Sequence, residues 1–261
     1  MSGPNKSYVN KSLSTPQFLR YNRHVMTENI GEQGQLDIVS ARVMIVGMGG
    51  LGCAASQYLA ASGIGSITLI DHDVVEISNL QRQVLFTSQD IGEPKVCAAQ
   101  QRLKYLNPLI NINAINQSVL ELNLSEQLKN VDIVLDCTDN ATTRHFINSH
   151  AVASKIKLVS ASAIQCQGQL VSFDFSNSQS PCYECLFPNK PTQSLNCSTS
   201  GVLSPLLGVM GSLQAIEVIR MLLNKSTSIS ELITFDAWGM IVSNLKVKKE
   251  QSCKVCCNHL D

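Results

Sequence analysis

Residues 47–52 read Gly-Met-Gly-Gly-Leu-Gly, a G-x-G-x-x-G pattern set between a short β-branched run at 43–46 and an alanine-rich stretch at 53–62. Few folds accept that arrangement. The glycines allow a tight turn and close approach of the backbone to a nucleotide, and the helix that follows offers free N–H groups at its start. A second strand-like run at 66–70 ends at Asp71, about 20 residues further on, where a carboxylate can hold ribose hydroxyls. The plain alternative is a glycine turn that serves helix–sheet packing alone. The first functional reading is a nicotinamide dinucleotide site, but no constellation suited to hydride transfer follows it.

The same alternation continues along the chain. Residues 93–106 have helical character and stop before Asn107-Pro108. Strand-like runs at 110–115 and 131–135 follow, the second leading into Cys137-Thr138-Asp139-Asn140. A helix at 142–154 and a strand at 156–160 complete a series of parallel βαβ units. Beyond 160 the period shortens to two at 169–175, 232–236 and 241–247, which predicts antiparallel strands added to the sheet, with a helix at 205–224 between them. Residues 190–204 lack periodicity and read as a loop, and no internal repeat is evident. The expected fold is α/β: a Rossmann-like mixed sheet flanked by helices, parallel in its N-terminal half and antiparallel in its C-terminal strands. Residues 1–15 are expected to be disordered and 16–261 to form a single domain. That domain divides into a helical extension (16–41), a nucleotide-binding part (42–160) and a remainder (161–261).

Composition narrows the class. In 261 residues, 44% hydrophobic content suffices for a large core. A formal net charge of zero gives no support for a nucleic-acid partner. The most apolar stretch, 202–223, contains Pro205, Gln214, Glu217 and Arg220, so a buried or subunit-interface helix is expected there rather than a membrane span. The polar opening, 1–14, has no signal-sequence pattern. Ten cysteines in such a chain point to reduced thiols or metal ligands in the cytoplasm rather than to a disulfide framework.

A polar cluster follows the second strand: Asp71-His72-Asp73, then Ser78-Asn79-Leu80-Gln81-Arg82-Gln83, then Lys95 near the start of the next helix. Arg82 and Lys95 together can neutralise a triphosphate and its leaving pyrophosphate. Asp139 follows the fourth strand, where a carboxylate can hold Mg²⁺ against ATP oxygens. The bland reading makes Arg82 and Lys95 solvated charges and Asp139 a helix N-cap. Two CxxC pairs, Cys182/Cys185 and Cys253/Cys256, have the spacing of a tetrahedral S₄ zinc site that staples the C-terminus to the middle of the chain. Cys257 and His259 are possible substitute ligands. Cys197, in the loop, suits thiol chemistry or is a free thiol without a role. Cys53, Cys97, Cys137 and Cys166 read as small buried residues.

Taken in order, the stretches RYNR (20–23), GMGGLGCAASQYLA (47–60), SNLQRQ (78–83), PKV (94–96), LDCTDN (135–140), CYEC (182–185), GVLSPLLGVMGSLQAIE (201–217) and CKVC (253–256) resemble the ThiF/MoeB/HesA family, bacterial relatives of the ubiquitin-activating enzymes. The likeness runs over nearly the whole chain. It implies a homodimer that uses ATP to adenylate the C-terminal glycine of a ubiquitin-like sulfur-carrier protein, with 161–261 as the carrier-binding and zinc part. It implies nucleotide contacts from the loop glycines Gly47, Gly49, Gly50 and Gly52, and from Asp71 on the ribose. Ser78, Asn79, Arg82 and Lys95 would serve the phosphates. Asp139, with Asn140 beside it, would lie near the α-phosphate and Mg²⁺. Arg23 would reach the ATP of the neighbouring subunit, and the four CxxC cysteines would bind Zn²⁺.

The carrier is expected to be ThiS-like or MoaD-like. GCAASQYLA resembles the molybdopterin branch; LFTSQDIG (85–92), SASA (160–163), CLFP (185–188) and NCSTSGV (196–202) resemble the thiamine branch, toward which the balance leans. In that branch the cysteine matching Cys197 is tied to sulfur transfer, and sulfur is expected from a separate sulfurtransferase. Three other readings stay open: adenylation of a peptide in specialised biosynthesis, an NAD-dependent oxidoreductase or nucleotide sensor, and a non-catalytic zinc-stapled interaction protein.

Overall fold

The computed structural model describes residues 12–188 and 201–257. The N-terminal extension forms two helices, α1 (Thr15–Val25) and α2 (Gly31–Ser40). α1 begins inside the stretch expected to lack order, because Ser14 and Gln17 form a capping box. The Gln17 Oε1 accepts from the Ser14 backbone N–H at 3.0 Å, and the Ser14 side chain accepts from the Gln17 N–H in return.

The parallel half follows. β1 (Arg42–Val46) pairs in parallel with β2 (Ser66–Asp71) and with β4 (Ile133–Asp136). β3 (Asn111–Asn116) lies outside β2, and β5 (Lys157–Ile164) lies outside β4. The crossovers are α3 (Gly50–Ser62), α4 (Lys95–Leu106), the short α5 (Leu124–Leu128) and α6 (Ala141–Ser154). Val43 and Ile45 of β1 enter one hydrophobic core while Met44 and Val46 enter the other. Both faces are covered, which is why the run shows no polar alternation.

The second half turns antiparallel. β6 (Gln167–Phe173), β7 (Glu231–Asp236) and β8 (Ile241–Lys246) extend the sheet beyond β5, giving the order β3-β2-β1-β4-β5-β6-β7-β8. Between β6 and β7 the described chain forms α7 (Tyr183–Leu186) and α8 (Ser204–Leu222). α8 is long and apolar enough to cross a membrane, yet half of its apolar window is buried within the fold. Its polar residues explain that placement. Gln214 donates to the Asp136 carbonyl at 3.0 Å, and Glu217 accepts from the Ser172 hydroxyl at 2.8 Å, so α8 is pinned to the ends of β4 and β6. A methyl group on Gly211 would lie 2.6 Å from the Leu51 carbonyl oxygen, which sets how closely α8 approaches α3.

Element boundaries differ in places. α3 starts at Gly50 rather than 53, because the loop glycines themselves build its first turn. β5 continues to Ile164, beyond the expected 160, because β6 pairs with it over seven residues.

Candidate nucleotide crevice and cysteine cluster

The chain leaves β1 toward β2 and β3 on one side and returns to β4 and β5 on the other, so the strand order reverses between β1 and β4. The crevice outside the carboxyl ends of strands at such a point is where open α/β sheets take ligands. Here it is a cavity of about 290 Å³. Its wall is the glycine loop on one side and residues 137–140 on the other.

The glycines divide the work. Gly47 has φ +94°, and a Cβ there would lie 2.8 Å from the Cys137 carbonyl oxygen. Gly52 is not part of the cavity wall; a Cβ on it would lie 1.9 Å from the Gly47 carbonyl oxygen, so it closes the turn rather than meeting a ligand. Gly49 faces the cavity, and the nearest atom to a Cβ on it is Gln83 Nε2 at 3.9 Å. Protein packing does not require a glycine there, and the position is open toward the cavity. Gly50 also lines the cavity, against Leu207 of α8.

Asp71 ties the end of β2 to this loop. Its Oδ2 accepts from the Met48 N–H at 2.6 Å and its Oδ1 from the Asp73 N–H at 2.9 Å. Lys95, at the start of α4, is buried, with its Nζ 2.8 Å from Asp73 Oδ2. Arg82 donates from Nη1 to the Ser78 carbonyl at 2.8 Å, which orients its guanidinium along the cavity edge. Asn79 is buried in the wall, where its Oδ1 accepts from the Glu76 N–H at 3.2 Å. Ser78 is exposed and outside the wall; its hydroxyl donates to Glu76, and it serves Arg82 through its carbonyl.

Asp139 is exposed at the cavity, and its carboxylate has no side-chain partner among the described residues. The helix-cap role weighed for it belongs instead to Asn140, whose Oδ1 accepts from the Thr143 N–H at 2.9 Å. Asp139 is therefore open to a cation or phosphate-bound metal. Arg23 is exposed on α1 and takes no part in the cavity of its own chain. Cys197 lies outside the described residues.

Two wall residues were given no role by the motifs, although Gln83 closes the SNLQRQ stretch. Gln83 is 3% exposed, and its Oε1 is buried with no partner. Arg144 is buried in the first turn of α6 and donates from Nη2 to the Thr138 carbonyl and, at 2.9 Å, to the Ala161 carbonyl. Burial, the largest single influence, would depress the pKa of its guanidinium, but the negative charge of Asp136 together with smaller effects of Tyr183 and Cys137 outweighs it and the pKa is raised. A cation in the first turn opposes the helix dipole, which is the one sequence signal that marks Arg144.

Away from the crevice, Cys182, Cys185, Cys253 and Cys256 bring their Sγ atoms within 4.8 Å of one another. The Cys182–Cys185, Cys182–Cys253 and Cys185–Cys256 sulfur separations are 3.9, 3.7 and 3.5 Å. A tetrahedral zinc–thiolate site with bonds of about 2.3 Å requires sulfur separations of about 3.8 Å, so the four sulfurs fit that ion. All four are free thiols. Without a metal, burial pushes the Cys182 thiol up to about 12, so metal binding must displace protons. Cys257 is not drawn in; its thiol donates to the Glu250 carbonyl at 3.3 Å. His259 lies outside the described residues. Cys53 and Cys137 are buried as expected, whereas Cys97 is exposed and Cys166 half-buried, which corrects the expectation for those two. Cys97 sits on the solvent side of α4, whose inner face is carried by Val96, Ala98 and Ala99.

A glycine loop, two cations and an open carboxylate at the switch point of a mixed sheet define a Rossmann-type nucleotide-binding protein. More specifically, the model of the ThiF family matches residues 21–255, and the chain belongs to that family. It is 41% identical over 245 residues to the molybdopterin-synthase adenylyltransferase of Escherichia coli K12, covering 94% of this chain and 98% of that protein. It is 42% identical over 244 residues to the sulfur carrier protein ThiS adenylyltransferase of the same organism, covering 94% and 97%. An adenylyltransferase and sulfurtransferase MOCS3 from Aedes aegypti is 41% identical over 255 residues, 96% of this chain but 58% of that longer protein. Among solved structures, E. coli MccB with succinimide superposes with a TM-score of 0.78 at 24% identity, over 96% of this chain and 76% of MccB. That likeness supports the mixed α/β fold.

Proposed function

We propose that the chain uses ATP to adenylate the C-terminal carboxylate of a ubiquitin-like sulfur-carrier protein, releasing pyrophosphate. The observation that carries this reading is the convergence of Lys95, Arg82 and the open Asp139 on one glycine-loop cavity, in a chain whose full-length relatives are named for that activity. In the reaction a carrier carboxylate oxygen bonds to the α-phosphorus, and the bond from that phosphorus to the bridging oxygen of the β-phosphate breaks. The barrier is crowding of negative charge, so positioning and electrostatic stabilisation supply most of the catalysis. No side-chain nucleophile is needed.

Each residue then has a task. The loop at Gly47, Gly49 and Gly50 lets the phosphates approach backbone N–H groups, and Asp71 faces the ribose. Lys95 exchanges its contact with Asp73 for a phosphate, moving its charge onto the leaving group as Arg82 does from the cavity edge. Asn79, buried in the cavity wall, would serve the phosphates beside them. Asp139 would hold Mg²⁺, which when bound neutralises phosphate oxygens. Cys182, Cys185, Cys253 and Cys256 would hold Zn²⁺ in a structural role, because four protein ligands leave no open position for water. Arg23, exposed and outside its own cavity, suits a role in the crevice of a second subunit in a homodimer. Reduced thiols suit a cytoplasmic setting.

The carrier is ThiS-like or MoaD-like. Identities of 42% and 41% to the two E. coli enzymes favour neither, and the stretches at 85–92 and 196–202 lean to ThiS, with Cys197 acting after the adenylate forms and sulfur arriving from a separate protein. ATP–pyrophosphate exchange with ThiS and MoaD supplied separately decides it. Arg82→Ala, Lys95→Ala and Asp139→Ala should each abolish carrier-dependent exchange in folded protein; retained exchange in all three would falsify the site. A second reading is adenylation of a short peptide. The observation beside it is the likeness to the microcin C7 biosynthetic enzyme MccB, solved with N-formylated MccA, at 25% identity and TM-score 0.74. Exchange driven by a peptide and by neither carrier would establish it.

A further inference from the structure

The turn that follows β4 is gripped from several elements at once, and most of the grip passes through Asp136. That residue ends β4, is 1% exposed and takes no part in the cavity wall. Both oxygens of its carboxylate are engaged. Oδ1 accepts from the Thr138 N–H at 3.0 Å and from the Thr138 hydroxyl at 2.6 Å. Oδ2 accepts from the hydroxyl of Ser160, on the neighbouring strand β5, at 2.8 Å. The Asp136 backbone carbonyl accepts from Gln214 Nε2 of α8 at 3.0 Å. Arg144 closes the other side, donating to the Thr138 and Ala161 carbonyls. Thr138 is thus held at its N–H, its hydroxyl and its carbonyl, while the Asn140 side chain accepts from the Thr143 N–H at 2.9 Å. Asp139 stands between these two, exposed at the cavity. Its neighbours are pinned, and its own carboxylate has no side-chain partner among the described residues. A buried carboxylate is costly unless its lone pairs are met, so three donors on Asp136 mark a built arrangement. Carboxylates that take a cation are oriented in the same manner, by hydrogen bonds behind them.

We infer that Asp136 is a positioning residue for the crevice: acting through Thr138, it sets where the Asp139 carboxylate stands, and Ser160 and Gln214 hold Asp136 in turn. The nucleotide side of this inference rests on the adenylation reading; the hydrogen-bonded clamp does not. What Asp136 supplies is an acceptor directed at Thr138. An asparagine there keeps that acceptor, and its amide N–H can donate to the Ser160 oxygen. An alanine keeps neither.

The test uses the full chain and two readouts. One is amide hydrogen exchange at Thr138, read relative to the amides of β1 as the reference for global stability. The other is ATP affinity measured with Mg²⁺ and again in chelator. In Asp136→Ala, Thr138 exchange should speed up at least about tenfold beyond β1, as expected for loss of bonds to a charged group. Its ATP affinity should fall about threefold to tenfold with Mg²⁺ and stay unchanged in chelator, because only the Asp139 contact is displaced. Asp136→Asn should restore both readouts to within about threefold of wild type. Ser160→Ala, which removes one donor and lies outside the cavity wall, should shift both in the direction of Asp136→Ala by a smaller factor. It decides the matter if Asp136→Ala does not fold. Wild-type Thr138 exchange in Ser160→Ala or in folded Asp136→Ala overturns the inference, as does a gain in exchange matched in β1. Asp136→Asn as impaired as Asp136→Ala also overturns it, because the carboxylate would then serve charge balance alone. Equal loss of affinity with and without Mg²⁺ overturns the link to Asp139. If wild-type protein binds no ATP, the adenylation reading fails, and Thr138 exchange still decides whether Asp136 holds the turn.

Discussion

Gly49 and Gly52 stand three residues apart, at the N-cap and in the first turn of α3, and their surroundings differ. At Gly52 an added methyl would meet the Gly47 carbonyl oxygen at 1.9 Å, roughly 1.5 Å inside ordinary van der Waals contact. The partner is backbone and cannot swing aside. Alanine in a helix is intrinsically better than glycine by about 1 kcal/mol, but forcing apart a packed turn costs about 3 kcal/mol. Gly52→Ala should therefore destabilise by about 2 kcal/mol, a fall in melting temperature of about 4–8 °C for a chain of this size. Gly49 has φ −75°, which alanine adopts freely, and its nearest neighbour is 3.9 Å away. Gly49→Ala should cost at most about 1 kcal/mol as a weaker N-cap. Its methyl would stand in the cavity where phosphate approaches, and ATP affinity should drop at least about tenfold, near 1.4 kcal/mol. Thermal melts and nucleotide titration of the two variants check the pair. A Gly49→Ala protein that binds ATP as wild type does, or that melts as low as Gly52→Ala, refutes the division of roles.

Metal analysis should find one zinc per chain in protein purified without chelator, and none would refute the S₄ assignment. Because burial holds the metal-free Cys182 thiol near 12, metal affinity should weaken steadily as pH falls, read by competition with a chromophoric chelator. Asp90 caps its turn through Thr87 and pairs with Arg102 at 2.9 Å; burial, which alone would raise its pKa, is outweighed by these bonds, and the carboxyl is lowered. Its contribution is thus present above the unfolded value of about 3.9 and is lost as pH falls through the lower folded value. Asp90→Asn should lose about 1 kcal/mol at neutral pH and match wild type in strong acid, measured by denaturant unfolding across that range.

Much of the crevice was legible because its chemistry is carried by short-range pattern. A strand ending in a glycine turn announces itself through β-branched residues, missing side chains and the alanine run that follows. Arg82, Lys95 and Asp139 stood out as charges at the ends of such elements, and the two CxxC pairs through spacing alone. Gln83 stood in the SNLQRQ stretch without a role of its own, and Arg144 lay in no quoted stretch. Their significance lies in what surrounds them: an amide oxygen without a partner, and a guanidinium clamped between two carbonyls. Asp139 and Asn140 were not separable by residue type, since either can cap a helix; the backbone conformation at 140 decided it.

By itself the sequence determined the alternation of strands and helices, the glycine loop and the spacing of the thiols, because periodicity and turn chemistry act over a few residues. Only the tertiary structure decided which distant parts meet. The sheet order brings the loop after β1 against the loop after β4, and folding carries Cys253 to within 3.7 Å of Cys182, 71 residues earlier in the chain. α8 reaches back to the end of β4 through Gln214. Such meetings depend on how whole elements pack and cross, a property of the assembled layers that no local stretch contains.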